Sequence, residues 1–233
     1  MKSTCLEVFE GFVSLFYPPY CKACNGVLVK GESILCTACI SDLPRSFDHL
    51  EKENTLFQKL SGRISIDHAS AFFVFRKSGK IQKLMHAFKY KNHPEIGVML
   101  GKVYARELLD AGLERKWDAV IPVPLHQSKK QKRGFNQSEE FGKGLAAVFG
   151  IPCYDDVVQR THRTATQTTK SRLKRWENVR DVFTVVKPSV IEGKNILLVD
   201  DVATTGATLE ACGSELYTAD IAILGILCLS RAK

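Results

Sequence analysis

The chain has 233 residues, 45% of them hydrophobic, with 33 Lys and Arg against 25 Asp and Glu for a net charge of +8. That length can hold one good-sized core plus a small appended module. No apolar run reaches the length of a membrane span, and no internal repeat or low-complexity tract is present, which excludes an integral helical membrane protein and a solenoid.

In chain order, Leu6, Phe9, Val13, Phe16 and Tyr17 recur at helical spacing with Glu7 and Glu10 among them, which predicts an amphipathic helix that packs on the rest of the protein. A cleaved leader would need an uninterrupted apolar core and a small-residue cleavage site, and a membrane-surface helix would be more basic. Next, Cys21, Cys24, Cys36 and Cys39 form C-x2-C-x11-C-x2-C. Two such knuckles can converge four thiolates on one zinc. Asn25-Gly26 and Lys30-Gly31 supply turns, with 27–29 as a short strand between them, so the segment reads as a zinc ribbon. Four thiolates leave no open coordination position, which makes the metal structural. The competing reading is a disulfide module, but no secretory leader is expected. The other four cysteines, Cys5, Cys153, Cys212 and Cys228, stand alone as buried small hydrophobes. A cytoplasmic location is the expectation.

Residues 41–61 are polar, charged and without a clear period, so they read as a linker. The expected division is 1–60 for the helix, ribbon and linker, and 61–233 for a larger domain. In that domain 69–75 reads as a strand, and Ile81, Leu84, Met85 and Phe88 make a helical stripe. His86 among them is expected to be a satisfied structural residue. Pro94 begins a second helix, 118–124 is a strand ending in prolines, and Phe141, Leu145 and Val148 mark another helix. Short strands are expected at 154–158 and 182–186, and a last one from Ile221. Strands alternating with helices predict an α/β fold, a mostly parallel sheet with helices on both faces.

The densest chemistry lies in Ile196-Leu197-Leu198-Val199-Asp200-Asp201-Val202-Ala203-Thr204-Thr205-Gly206-Ala207-Thr208. An apolar strand ends in two adjacent carboxylates. A Thr/Gly turn then enters a helix carrying Leu209, Cys212 and Leu216 on one face. Backbone N–H groups, hydroxyls and a close-approaching glycine at a helix N-terminus suit a phosphate. Asp200 and Asp201 can accept from vicinal hydroxyls or help hold a hydrated Mg²⁺. Together these groups read as a ribose-phosphate site. The basic charge is local: Lys129, Lys130, Lys132 and Arg133 carry +4 and the stretch 160–180 carries +6, leaving the rest at −2. Such runs are either solvated loops or cations placed to meet a pyrophosphate or a nucleic-acid backbone.

The 196–208 string resembles the motif by which type I phosphoribosyltransferases bind phosphoribosyl pyrophosphate (PRPP). The resemblance implies that Asp200 and Asp201 meet the ribose hydroxyls and that Ala203, Thr204, Thr205, Gly206, Ala207 and Thr208 wrap the 5′-phosphate. Purine-salvage members carry an acid where this chain has Thr204, which argues against a purine-salvage reaction. Further motifs narrow the likeness: Ile121-Pro122-Val123-Pro124-Leu125-His126, Lys132-Arg133-Gly134-Phe135-Asn136-Gln137-Ser138, Phe88-Lys89-Tyr90-Lys91, Arg160-Thr161, Thr166-Gln167-Thr168, Arg172-Leu173, Arg175 and Asn178-Val179. With the four-cysteine module, these resemble the ComF/GntX family of phosphoribosyltransferase-like proteins over nearly the whole chain. That likeness implies a pyrophosphate loop at 123–137, a mobile loop at 161–180, and an association with natural competence, the uptake and internal processing of single-stranded DNA. It implies Mg²⁺ with PRPP as ligand.

Two functions are consistent with these residues. As an enzyme the chain would pass ribose 5-phosphate from PRPP to a nucleophile, with Asp200, Asp201 and Arg133 at the reacting centre and Lys89, Lys91, Arg172 and Arg175 as further cations for pyrophosphate. As a binding module it would hold single-stranded DNA or a competence or recombination protein on its ribbon and basic loops, with Tyr90, Phe135 and Trp176 able to stack bases.

Overall fold

The computed structural model describes residues 17–113, 117–162 and 181–232. The expected helix at residues 6–17 falls almost wholly outside them, as do Arg172 and Arg175. Four parallel strands form the sheet: β1 (His68–Phe75), β2 (Ala119–Pro122), β5 (Asn195–Ala203) and β6 (Ile223–Ala232), in the order β1-β6-β5-β2. Each is apolar on both sides, which a parallel sheet covered on both faces requires. Along β5, Leu197 and Val199 join one core, and Ile196 and Leu198 join the other. The expected α/β architecture is therefore found. The strands expected around 154–158 and 182–186 differ: β3 (Val158–His162) and β4 (Asp181–Val185) leave the sheet and pair antiparallel as a separate ribbon.

Helices cover the sheet as the crossover rule requires. On one face lie α3 (Gly79–Tyr90), α4 (Glu95–Asp110) and α6 (Gln137–Phe149), whose buried stripes include Phe88, Leu100, Tyr104, Phe141 and Leu145. On the other lie α2 (Thr55–Ser61) and α7 (Ala207–Leu216), with Leu56, Leu60, Leu209, Cys212 and Leu216. The helices that come after β2 and β5 thus leave these neighbouring strands for opposite faces. Such a divergence opens a crevice beyond the carboxyl ends of the strands. Close packing fixes its wall. At the α4–α6 crossing, a Cβ on Gly101 would stand 2.3 Å from the Phe141 carbonyl oxygen, so the two backbones touch where only glycine fits.

The segment expected as a linker is ordered by long-range contacts. Asp48, 3% exposed, receives Arg231 Nε at 2.8 Å and Arg231 Nη2 at 2.9 Å from the end of β6. Asn54 caps α2 through Leu56 N and Phe57 N and donates to the Ala69 carbonyl. Neither pattern has a sequence period, which is why composition alone reads as linker. These contacts cross the boundary expected at residue 60.

The knuckle segment runs through residues 20–28, joined by a bridge between Tyr20 and Val27, and into α1 (Thr37–Asp42). Glu32 closes its loop by accepting from Val29 N, Thr37 N and Thr37 Oγ1. Cys21, Ala23, Leu28, Leu35, Cys39 and Leu43 bury against the same core as α3 and α4. Cys212 and Cys228 are fully buried and Cys153 is partly so; Cys5 lies outside the described residues. No described helix is long and apolar enough to cross a membrane.

Candidate functional site

β5 outruns its neighbour. The last rung with β2 is Pro122 opposite Val199, whereas β5 pairs with β6 as far as Ala203 opposite Arg231. Beyond Val199 only Val123 N–H still reaches across, to the Val199 carbonyl at 2.9 Å, so Asp200 and Asp201 emerge along an open side of the strand. They line a cleft of about 190 Å³ with Lys89, Lys129, Arg133, Gln137, Ser138, Arg160 and Thr208.

Ser138 Oγ donates to Asp200 Oδ1 at 2.8 Å, and the Asp201 N–H donates to the same oxygen at 2.8 Å. Lys89 Nζ pairs with Asp201 Oδ2 at 2.8 Å, with both side chains largely buried. Burial and the adjacent Asp201 carboxylate push the Asp200 carboxyl up to about 7, against the opposing pull of Ser138, the Asp201 N–H and Lys89.

The cations sit on helix ends that the sequence codes locally. Lys129, Lys130 and Lys132, expected on a loop, lie on a short helix, α5 (Gln127–Arg133). It is capped by His126 at Ser128 N and closed by Gly134 at φ 82°. The helix is polar all round, so no apolar stripe announced it. Lys130 pairs with Glu139 at 3.8 Å, and Lys129 faces the cleft. Arg133 Nη1 donates to Gln137 Oε1 at 2.8 Å, and its guanidinium lies 5.4 Å from the Tyr90 ring centre. Asn136 caps α6 through Ser138 N and donates to the Val123 carbonyl at 3.0 Å, which ties α6 to β2. Phe88 and Phe135, 5.7 Å apart and buried, fix the chain beside Lys89 and Arg133. Phe135 is thus core, while Tyr90 is 58% exposed; Trp176 lies outside the described residues. His86, expected to be a satisfied structural residue, is exposed, with its ring 5.1 Å from that of Tyr90.

A second concavity is lined by Asp200 and residues 202–209. It holds all six expected loop residues, Ala203 to Thr208, with Gly206 at φ 82° capping α7. Lys59 Nζ donates to the Thr204 carbonyl at 2.9 Å, and Arg63 Nη1 to the Thr205 carbonyl at 3.1 Å. In a trans peptide the N–H points opposite to the C=O, so these two cations turn the N–H groups of Thr205 and Gly206 away from themselves. Sequence reading missed Lys59, Arg63 and Ser138 as site residues, and placed Gln137 in the pyrophosphate loop only through the family resemblance, with no contact of its own. Only contacts spanning from 62 to 145 positions reveal the first three.

The four knuckle sulfurs lie within 4.8 Å of one another. Cys24 Sγ and Cys36 Sγ are 3.8 Å apart, the spacing of thiolates about 2.3 Å from a tetrahedral zinc. Cys36 N–H points at Cys21 Sγ and Gly26 N–H at Cys24 Sγ. Burial pushes the Cys21 thiol up, but the N–H groups of Cys36, Cys24 and Ala23 outweigh it and bring it to about 6. The donor set therefore fits a metal that takes sulfur.

Because the folded Asp200 holds its proton to a higher pH than an unfolded Asp, its contribution to stability is full below the unfolded value and is lost as pH rises through about 7. Asp200→Asn has no such loss. In denaturant titrations the variant should gain stability relative to the natural chain as pH rises from about 4 to about 7, and hold that gain above it. A difference that does not change with pH would contradict this assignment.

Comparison with known proteins agrees with this geometry. The phosphoribosyl transferase domain family matches residues 86–233. DNA utilization protein YhgH of Escherichia coli strain K12 is 32% identical over 215 residues, covering 91% of this chain and 89% of its own. Competence protein F of Haemophilus influenzae is 26% identical over 227 residues, covering 93% and 99%. Competence protein ComFC of Streptococcus pneumoniae is 33% identical over 197 residues, covering 78% and 81%. The likeness to YhgH spans nine-tenths of the chain, and the chain belongs to the ComF family of phosphoribosyltransferase-like proteins.

Proposed function

We propose that this chain binds Mg²⁺·PRPP in the cleft and acts as a phosphoribosyltransferase in the handling of internalised single-stranded DNA. The observation that carries the reading is the ordered separation of charge: two carboxylates at the end of β5, a glycine-bearing loop at the α7 N-terminus on one side, and Lys89, Lys129 and Arg133 on the other. The carboxylates accept from the ribose 2′- and 3′-hydroxyls, and the loop N–H groups take the 5′-phosphate. Mg²⁺ bound with PRPP would offset the pyrophosphate charge, and Asp200 and Asp201, the latter now paired with Lys89, would hold it through carboxylate oxygens, the hard donors it prefers.

In the transfer, the bond from ribose C1 to the pyrophosphate oxygen breaks and a bond from C1 to the acceptor nucleophile forms. Positive charge grows on the ribose ring as negative charge grows on the leaving group. Arg133, held by Gln137, and Lys89 stand where that negative charge develops, the placement at which preorganised cations lower a barrier. Calorimetric titration should detect PRPP binding in Mg²⁺, and changing both Asp200 and Asp201 to Asn should weaken it at least about tenfold. Equal affinity in that double variant would remove the reading.

The DNA link is supported by what the relatives are named for and by a groove of about 580 Å³ between the knuckle segment and α3. Lys22, Lys83, Lys91, His86 and His93 line it, with exposed Tyr90 at the cleft end of the same helix face. Cations interleaved with an exposed ring suit a single strand, so DNA held there would lie beside the PRPP cleft. The same groove supports a second reading, in which the chain binds DNA and senses PRPP without turnover. Pyrophosphate release measured with and without single-stranded DNA separates the two. Filter binding should weaken steeply with salt if the groove takes phosphates, and no complex at low salt would end the DNA reading.

The four thiolates hold one structural zinc in this reading. Metal analysis should find one zinc per chain, and Cys24→Ser should lose it and loosen the knuckles, since so small a segment has little core of its own. Protein without zinc, or with Cys21–Cys24 and Cys36–Cys39 disulfides, would refute it.

A further inference from the structure

Gln137, the first residue of α6, is 1% exposed and lines the cleft. Its Oε1 accepts from Arg133 Nη1 at 2.8 Å. That bond fixes which way the amide lies, because the reversed amide would set NH₂ against a guanidinium N–H, donor against donor. The Nε2 end therefore points away from Arg133, and it is buried with no hydrogen-bond partner among the described residues. An unsatisfied buried donor is costly because it has given up water for no partner, so one kept in a binding cleft calls for an acceptor that arrives with the ligand.

We propose that Gln137 is a binding and positioning residue for the pyrophosphate group: Oε1 holds Arg133 at the cleft, and Nε2 donates to an anionic oxygen of the ligand. The inference rests on the reading of the cleft as a PRPP site. Pyrophosphate is the fitting part of that ligand for two reasons. Its oxygens accept hydrogen bonds, as a donor-only NH₂ demands, whereas the ribose hydroxyls are served by the acceptors Asp200 and Asp201. Gln137 is also anchored to Arg133, on the cationic side of the cleft with Lys89 and Lys129. Two donors on one pair, one charged and one neutral, define a direction for the leaving group as well as a charge.

The test is calorimetric titration of the full chain in Mg²⁺ with three probes: PRPP, inorganic pyrophosphate and ribose 5-phosphate. Gln137→Glu keeps an oxygen for Arg133 but replaces the donor with a second acceptor. Gln137→Met removes both ends while conserving length. Both variants should lose at least about tenfold in affinity for PRPP and pyrophosphate and keep that for ribose 5-phosphate. Two results would overturn the inference: a Glu variant that binds pyrophosphate as the natural chain does, or losses shared equally by ribose 5-phosphate, which would mark general damage. Natural protein that binds no PRPP would overturn both this inference and the reading beneath it. Natural protein that binds PRPP, with variants that do not differ from it, would overturn this inference alone.

Discussion

Two carboxylates on consecutive residues at the end of one strand repel each other, and the surrounding groups are arranged to contain that repulsion. Asp200 is steadied by the Ser138 hydroxyl and the Asp201 N–H, and Asp201 by Lys89. Neither arrangement fully relieves Asp200, whose carboxyl holds its proton to about pH 7. A site that keeps such a group at a cost in stability is poised for a ligand that lowers the cost, as hydroxyl donors and a divalent cation do. The supports are rigid. Ser138 is placed by the Asn136 cap on α6, and α6 is locked to α4 by the glycine contact at Gly101.

The phosphate-sized loop is built on a different principle. No acidic or basic side chain of its own shapes it. Gly206 supplies the left-handed turn, and Lys59 and Arg63 approach from behind and hold two carbonyls, which leaves N–H groups facing the other way. The two cations come from the segment around α2, outside the stretch that matches the phosphoribosyl transferase domain. Residues 44–63 are thus part of the machinery that presents the loop, and the buried Asp48–Arg231 pair fastens the segment to β6. A buried ion pair of this kind adds little net stability but penalises misplacement strongly, because either partner alone would be a buried bare charge.

Legibility in the sequence tracked the range of the determining contacts. The 196–208 string was readable because each of its parts is local: apolar residues for a covered strand, a glycine for positive φ, an apolar stripe for the helix. The four cysteines were readable because their spacing is itself the geometry. The strand at 181–185 was visible as a strand, whereas the one at 158–162 meets the expected 154–158 only at Val158; strand direction depends on the partner, so their antiparallel pairing was not legible. Helix α5 escaped notice because it buries nothing. Asn136, Gln137 and Ser138 stood out as part of a family motif, the first two within the pyrophosphate loop that the resemblance implies, but with no contact legible for any of them. Ser138 meets Asp200 62 positions away, and the orphaned amide of Gln137 is a fact of packing, invisible in any linear pattern.

If the cleft binds PRPP as proposed, Lys89 must exchange its Asp201 partner for the pyrophosphate. A crystal structure with Mg²⁺ and PRPP tests this directly. The account predicts that Lys89 Nζ, now 2.8 Å from Asp201 Oδ2, will have moved to the pyrophosphate, with Asp200 and Asp201 beside the ribose and the 5′-phosphate in the loop at 203–208. A ligand bound elsewhere, or one seated in the cleft with the Lys89–Asp201 pair intact, would contradict it.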